Sequence, residues 1–104
     1  MAVNDENTAA ILLAGDAAYA CLHDETLMGV IETLSQDALG SIVNSKEADA
    51  EGRELAYRRI QALQSIVSEL SRRVALRDAL TIELRETAET ESYGQAYNDY
   101  YETP

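Results

Sequence analysis

From Ala56 onward the apolar residues recur in alternating steps of four and three: Ala56, Ile60, Leu63, Val67, Leu70, Val74. That is a heptad seam over nearly three heptads, and it commits this part of the chain to an amphipathic helix. Asp49 has the side chain of an N-cap, and Glu51 follows where the helix dipole favours an acid. Gly52 lies in the first turn, and the only Pro is the last residue. One helix is therefore predicted from about Asp49 to about Thr87, about 57 Å long at 1.5 Å per residue. At Arg77 the phase breaks, and Leu76, Leu80 and Leu84 take over on a rotated face.

A second stripe precedes it: Leu27, Ile31, Leu34, Ala38, Ile42, widened by Met28, Val30 and Leu39. Its spacing predicts a helix over about 25–44, with Asp24 as N-cap. The short polar connection Asn44–Ala48 favours antiparallel neighbours. The two stripes are expected to face each other, Leu27/Ile31/Leu34/Ala38/Ile42 against Ile60/Leu63/Val67/Leu70/Val74. Residues 8–22 are Ala- and Leu-rich and predict a short N-terminal helix capped by Asn7 or Thr8, in which Gly15 costs about 1 kcal/mol relative to Ala. The fold class is all-α: an antiparallel helical hairpin with one long C-terminal helix and a short N-terminal one. Residues 1–7 read as an arm, 8–88 as the hairpin domain and 89–104 as an acidic tail. A hairpin buries little core, so the leftover Leu76–Leu80–Leu84 face is expected to meet another chain.

The charge is segregated. Of the net -11, residues 1–52 carry one base (Lys46) and ten acids. Residues 53–77 carry six arginines against Glu54 and Glu69, and residues 78–104 carry Arg85 against seven acids. Such a basic centre is expected to neutralise itself, by folding back or by pairing between copies. Arg58-Arg59 and Arg72-Arg73, 14 residues apart, project from similar faces and are the charge-pairing candidates. A phosphate-gripping stripe is the alternative, but the acidic field opposes nucleic acid and anionic membranes.

No chemistry of bond-making is visible. One Cys and one His cannot form a Cys/His zinc site or an intramolecular disulfide. His23 beside Asp24 and Glu25 has the composition of half a metal or acid–base site, but a turn at a helix start accounts for it better. Cys21 sits in an Ala/Leu run, which fits a buried inert thiol better than a nucleophile. Phosphate-loop, metalloprotease, nucleophile-elbow and EF-hand patterns are absent. No uncharged run is long enough to span a bilayer. The expectation is no catalytic residue, metal, cofactor or enzyme activity, and no membrane partner.

The tail, AETESYGQAYNDYYETP, holds Tyr93, Tyr97, Tyr100 and Tyr101, four of the six tyrosines. Composition fits an acidic tail without structure of its own. The clustered rings fit an arm that orders on a partner.

The stretch Asp49-Ala50-Glu51-Gly52-Arg53-Glu54-Leu55-Ala56-Tyr57 before a long amphipathic helix, with Leu22-His23-Asp24-Glu25-Thr26-Leu27 opening an earlier one, resembles a family of short helical proteins of tailed bacteriophages, encoded near head and packaging genes. The likeness covers about residues 20–75. Tyr57 stands where that family usually has Trp, and Arg77-Asp78 replaces the Gly-Lys that often ends its long helix. The resemblance implies a phage setting without a settled role. The expected function is a non-enzymatic structural or assembly protein that self-associates and docks on a head, portal or connector protein, in the particle and, during assembly, in the host bacterial cytoplasm. The alternatives are a small terminase subunit gripping DNA through Arg53–Arg77 and an acidic inhibitor of a host protein.

Overall fold

The computed structural model describes the backbone of residues 5–102 and the side chains of residues 6–92. Every element among the described residues is an α-helix: α1 (Asp5–Leu22), α2 (Glu25–Val43) and α3 (Ala50–Glu102). Short-range chemistry sets the boundaries. The Leu27 N–H donates to Asp24 Oδ1 at 2.8 Å and the Gly52 N–H to Asp49 Oδ1 at 3.1 Å, so the N-caps predicted at Asp24 and Asp49 are in place. The one predicted at Asn7 or Thr8 is not, because α1 already runs from Asp5 through both. At the end of α1, a His23 ring nitrogen donates to the Tyr19 carbonyl at 2.9 Å, and the two rings stack with centroids 3.9 Å apart. Asn44 closes α2 by donating its backbone N–H to the Gly40 carbonyl. Arg53 then ties down the link to α3, donating to Ser45 Oγ (3.2 Å) and to the carbonyls of Lys46 (2.6 Å) and Glu47 (3.3 Å). This arginine is a structural strap.

α2 lies antiparallel to the first part of α3. Ile31 and Ser35 sit beside Leu63 and Val67, and further along α2, Leu34, Ala38 and Ser41 sit beside Arg59 and Ala62. The α3 seam follows the expected phase: Ala56 is buried, and Ile60, Leu63, Val67, Leu70 and Val74 are half-buried. The α2 stripe keeps Leu27, Ile31, Ala38 and Ile42 buried or half-buried as expected and departs from the expected one at a single position. Ile31 and Ala38 are buried, but Leu34 is 49% exposed and Ser35 takes the seam position. Ser35 tolerates that place because its hydroxyl donates to the Ile31 carbonyl at 2.8 Å. Leu34 is left on the flank.

α1 covers the next stretch of α3, and it does so closely. A Cβ built on Gly15 would overlap the Arg77 Cβ and lie 2.8 and 2.9 Å from its Cγ and Cδ. Gly15 is thus a contact residue, and the small Ala14 and Ala18 beside it keep that approach short. α1 lies beside α3 from Arg72 onward, so the phase break expected at Arg77 falls where α1 is the neighbouring helix. Arg77 occupies the next seam position with its side chain 20% exposed, and Leu80 is 7% exposed. Leu80 is therefore covered within the chain, whereas it was expected to lie against another one.

α3 also runs past the expected end near Thr87, to Glu102. The apolar stripe stops at Leu84, but Ala88, Glu89, Glu91, Gln95 and Ala96 are good helix formers and no Pro intervenes. At 53 residues the helix is about 80 Å long, and it sets the molecular extents of 88 × 26 × 22 Å.

Candidate interaction surface

The buried hydrophobic residues are Ala18, Ile31, Ala38, Ala56 and Leu80, three of them alanines. Large apolar side chains remain at least 43% exposed on every helix: Leu13 and Tyr19 on α1, Val30, Leu34, Leu39 and Val43 on α2, and Leu55, Tyr57, Ile66, Leu76, Ile82 and Leu84 on α3. A molecule two to three helices thick has no interior deep enough to take them.

Two of these sets form grooves. One runs between α2 and the start of α3, floored by Leu34, Ala38, Ala62 and Leu63, with Asp37 and Arg59 at its edges. The other lies between α1 and α3, where Ala10, Ile11 and Ala14 meet Arg72, Arg73 and Leu76. The expected partner-binding leucines are split between two environments. Leu80 is packed inside the chain, Leu76 (45% exposed) lies along the α1 groove, and Leu84 (43% exposed) lies beyond it. The tyrosines expected to bind a partner, Tyr93, Tyr97, Tyr100 and Tyr101, have side chains outside the described residues. The helical backbone carries all four.

The arginine pairs are occupied locally. Arg58 Nε donates to Glu54 at 3.3 Å. Arg72 forks onto Glu69 at 2.6 and 2.9 Å, and Arg73 joins it at 3.2 Å. These are neighbours three or four residues apart on one helix, and exposed pairs of this kind stabilise weakly. Arg59 pairs with no carboxylate among the described residues. Only Arg77 reaches another helix: its guanidinium holds Asp16 at 3.1 Å and Asp78 at 2.9 Å, and its central carbon lies 5.0 Å from the Tyr19 ring centroid. Hydrogen bonding to Asp78, with a smaller part from Asp16, raises the Arg77 pKa above its ordinary value. Self-neutralisation by folding back therefore rests on this one arginine among the described residues. Sequence reading set Arg77 aside as a phase break, and the signal that would have found it is the glycine in mid-helix α1.

Hydrogen bonds from Arg72 and then Arg73 hold the Glu69 carboxyl down to about 2, from an ordinary 4.5. A carboxylate pKa lowered by folding adds stability that is present above pH 4.5 and is lost as the pH falls through about 2. A carbon-detected NMR titration is expected to place the Glu69 midpoint near 2, and Arg72→Ala with Arg73→Ala to return it toward 4.5. A wild-type midpoint at the ordinary value would mean that the arginine fork does not persist in solution.

The described residues hold no group of three or more His, Cys, Asp or Glu side chains placed to bind a metal, and no helix long and apolar enough to cross a membrane. Cys21 is a half-buried free thiol. The open grooves, the uncovered leucines and the bare outer part of α3 are what the described residues leave without cover. No protein-family model matches the chain, nor does any curated protein or any solved structure, so this surface is read from its own chemistry.

Proposed function

We propose that the chain is a non-enzymatic assembly protein that associates with itself and docks on a larger protein. The observation that carries this reading is how little the chain covers alone. Its accessible surface is 8293 Å², against about 5,800 Å² for a compact monomer of its mass. Its radius of gyration is 23.3 Å, against about 13 Å for a compact domain of this length. The excess surface includes the exposed leucines, isoleucines and valines of α2 and α3, which favours burial between chains. The resemblance to short helical phage proteins favours a head, portal or connector protein as the larger partner.

Light scattering of the purified chain is expected to give a mass above 11.4 kDa that rises with concentration. A mass-spectrometric inventory of purified phage particles is expected to contain the chain. A monomer at every concentration, with no copies in the particles, sinks the reading. Duplex DNA is expected to leave the chain unbound, because the net charge of -11 opposes a polyanion. Salt-dependent DNA binding would favour a packaging subunit instead.

A further inference from the structure

The two charged halves of α3 lie on one rod. Residues 53–77 carry net +4 and residues 78–104 net -6, and one unbroken helix contains nearly all of both. Their centres are about 40 Å apart along the axis, far beyond the ~8 Å over which charges act at physiological salt. A helix without a break cannot bend back to join them, so among the described residues the halves meet only at their junction, where Arg77 holds Asp78.

The outer half also lacks any cover. Residues 81–92 are exposed on every face of the helix, Ile82 and Leu84 included. Glu83, Glu86, Glu89 and Glu91 form no ion pair among the described residues. A helical stretch held only by its own hydrogen bonds is marginal in water. The inner half shows a groove lined by Leu34, Ala38, Ala62 and Leu63 together with Asp37 and with Arg59, which forms no ion pair among the described residues.

We propose that this groove takes the outer half of α3 from a second copy of the chain, so that two α3 helices lie antiparallel about a two-fold axis and the contact is made twice. The inference rests on the self-association proposed above and names its surface. Charge selects the arrangement. Antiparallel rods set the arginine-rich stretch of each α3, net +4 on that helix and with Asp37 of α2 beside it at the groove, against the net -6 half of the other, whereas parallel rods in register set like against like. A closed two-fold pair fills both grooves and leaves no further copy to add at that site.

The test uses the full chain and two charge-reversed variants in sedimentation velocity, with circular dichroism as the control for helicity. One variant is Arg58→Glu with Arg59→Glu; the other is Glu83→Lys, Glu86→Lys, Glu89→Lys and Glu91→Lys. The wild type is expected to be an elongated dimer that weakens at least about tenfold between ~0.1 and ~1 M salt. Each variant alone is expected to weaken at least about tenfold with helicity kept, and an equal mixture of the two is expected to recover a heterodimer near the wild-type affinity. Recovery is specific to this pairing, because in the mixture one contact is native and the other is reversed on both sides. An oligomer indifferent to salt and to both variants overturns the pairing and leaves self-association standing. So does a mixture that fails to recover. A wild type that stays monomeric removes both.

Discussion

Replacing Gly15 with Ala is expected to destabilise the chain, although Ala is the better helix former. In an open helical position the exchange stabilises by about 1 kcal/mol. Gly29 and Gly40 are such positions, with nothing within 4 Å of an added Cβ, and Gly29→Ala and Gly40→Ala are each expected to raise stability by up to about 1 kcal/mol. At Gly15 the new methyl group meets the Cβ, Cγ and Cδ of Arg77. A Cβ moves only with its backbone, so the helices themselves must part, and overpacking of this kind costs about 1–3 kcal/mol. The gap also loosens Arg77 from Asp16 and from the Tyr19 ring. The expected outcome in urea denaturation is opposite signs at matched chemistry: a net loss of about 1–2 kcal/mol at position 15 and gains at 29 and 40. Three stabilising exchanges would mean that α1 does not approach α3 at Arg77.

Leu80→Ala is expected to have the largest effect of any leucine on α3. Leu80 is 7% exposed, and removing a buried leucine side chain costs about 2–4 kcal/mol through lost burial and the cavity left behind. Leu76→Ala and Leu84→Ala remove side chains that are 45% and 43% exposed and are expected to cost no more than about 1 kcal/mol each. The effect of these two belongs to association: both should weaken the oligomer while leaving unfolding of the single chain nearly unchanged. Denaturation of the three variants at low concentration, beside their sedimentation at high concentration, separates the roles. Equal losses in denaturation would return Leu80 to the outer surface with its neighbours.

The features legible in the sequence were those decided over a few residues. Asp24 and Asp49 were readable as caps because a capping carboxylate meets an N–H three residues on, as both do here. The α3 seam was readable because its apolar residues keep one phase from Ala56 to Val74, all of them buried or half-buried. Leu34 and Ser35 were misassigned because hydropathy alone ranks Leu above Ser for a seam. It does not register that Ser35 can satisfy its hydroxyl on its own helix. The role of α1 was the larger miss. Its contact is made by Gly15 with small alanines beside it, residues that carry almost no hydrophobic signal, and its partner is an arginine. Proximity between residues about 60 positions apart leaves no mark on local periodicity. The end of α3 was placed too early because the apolar stripe was taken to mark the helix, and the helix outlasts the stripe.

The unbroken run of α3 makes sequence length equivalent to distance and direction. Each residue inserted beyond Leu80 carries the tip about 1.5 Å outward and turns it by about 100°. Seven residues lengthen the rod by about 10 Å and nearly restore its azimuth, whereas two swing the tip to the far side. The chain is in this sense a ruler with a keyed end: whatever grips the tip is held at a set span from the body and at a set angle about the axis. Lengthening this ruler by whole heptads preserves the angle, and other increments change the angle as well as the span.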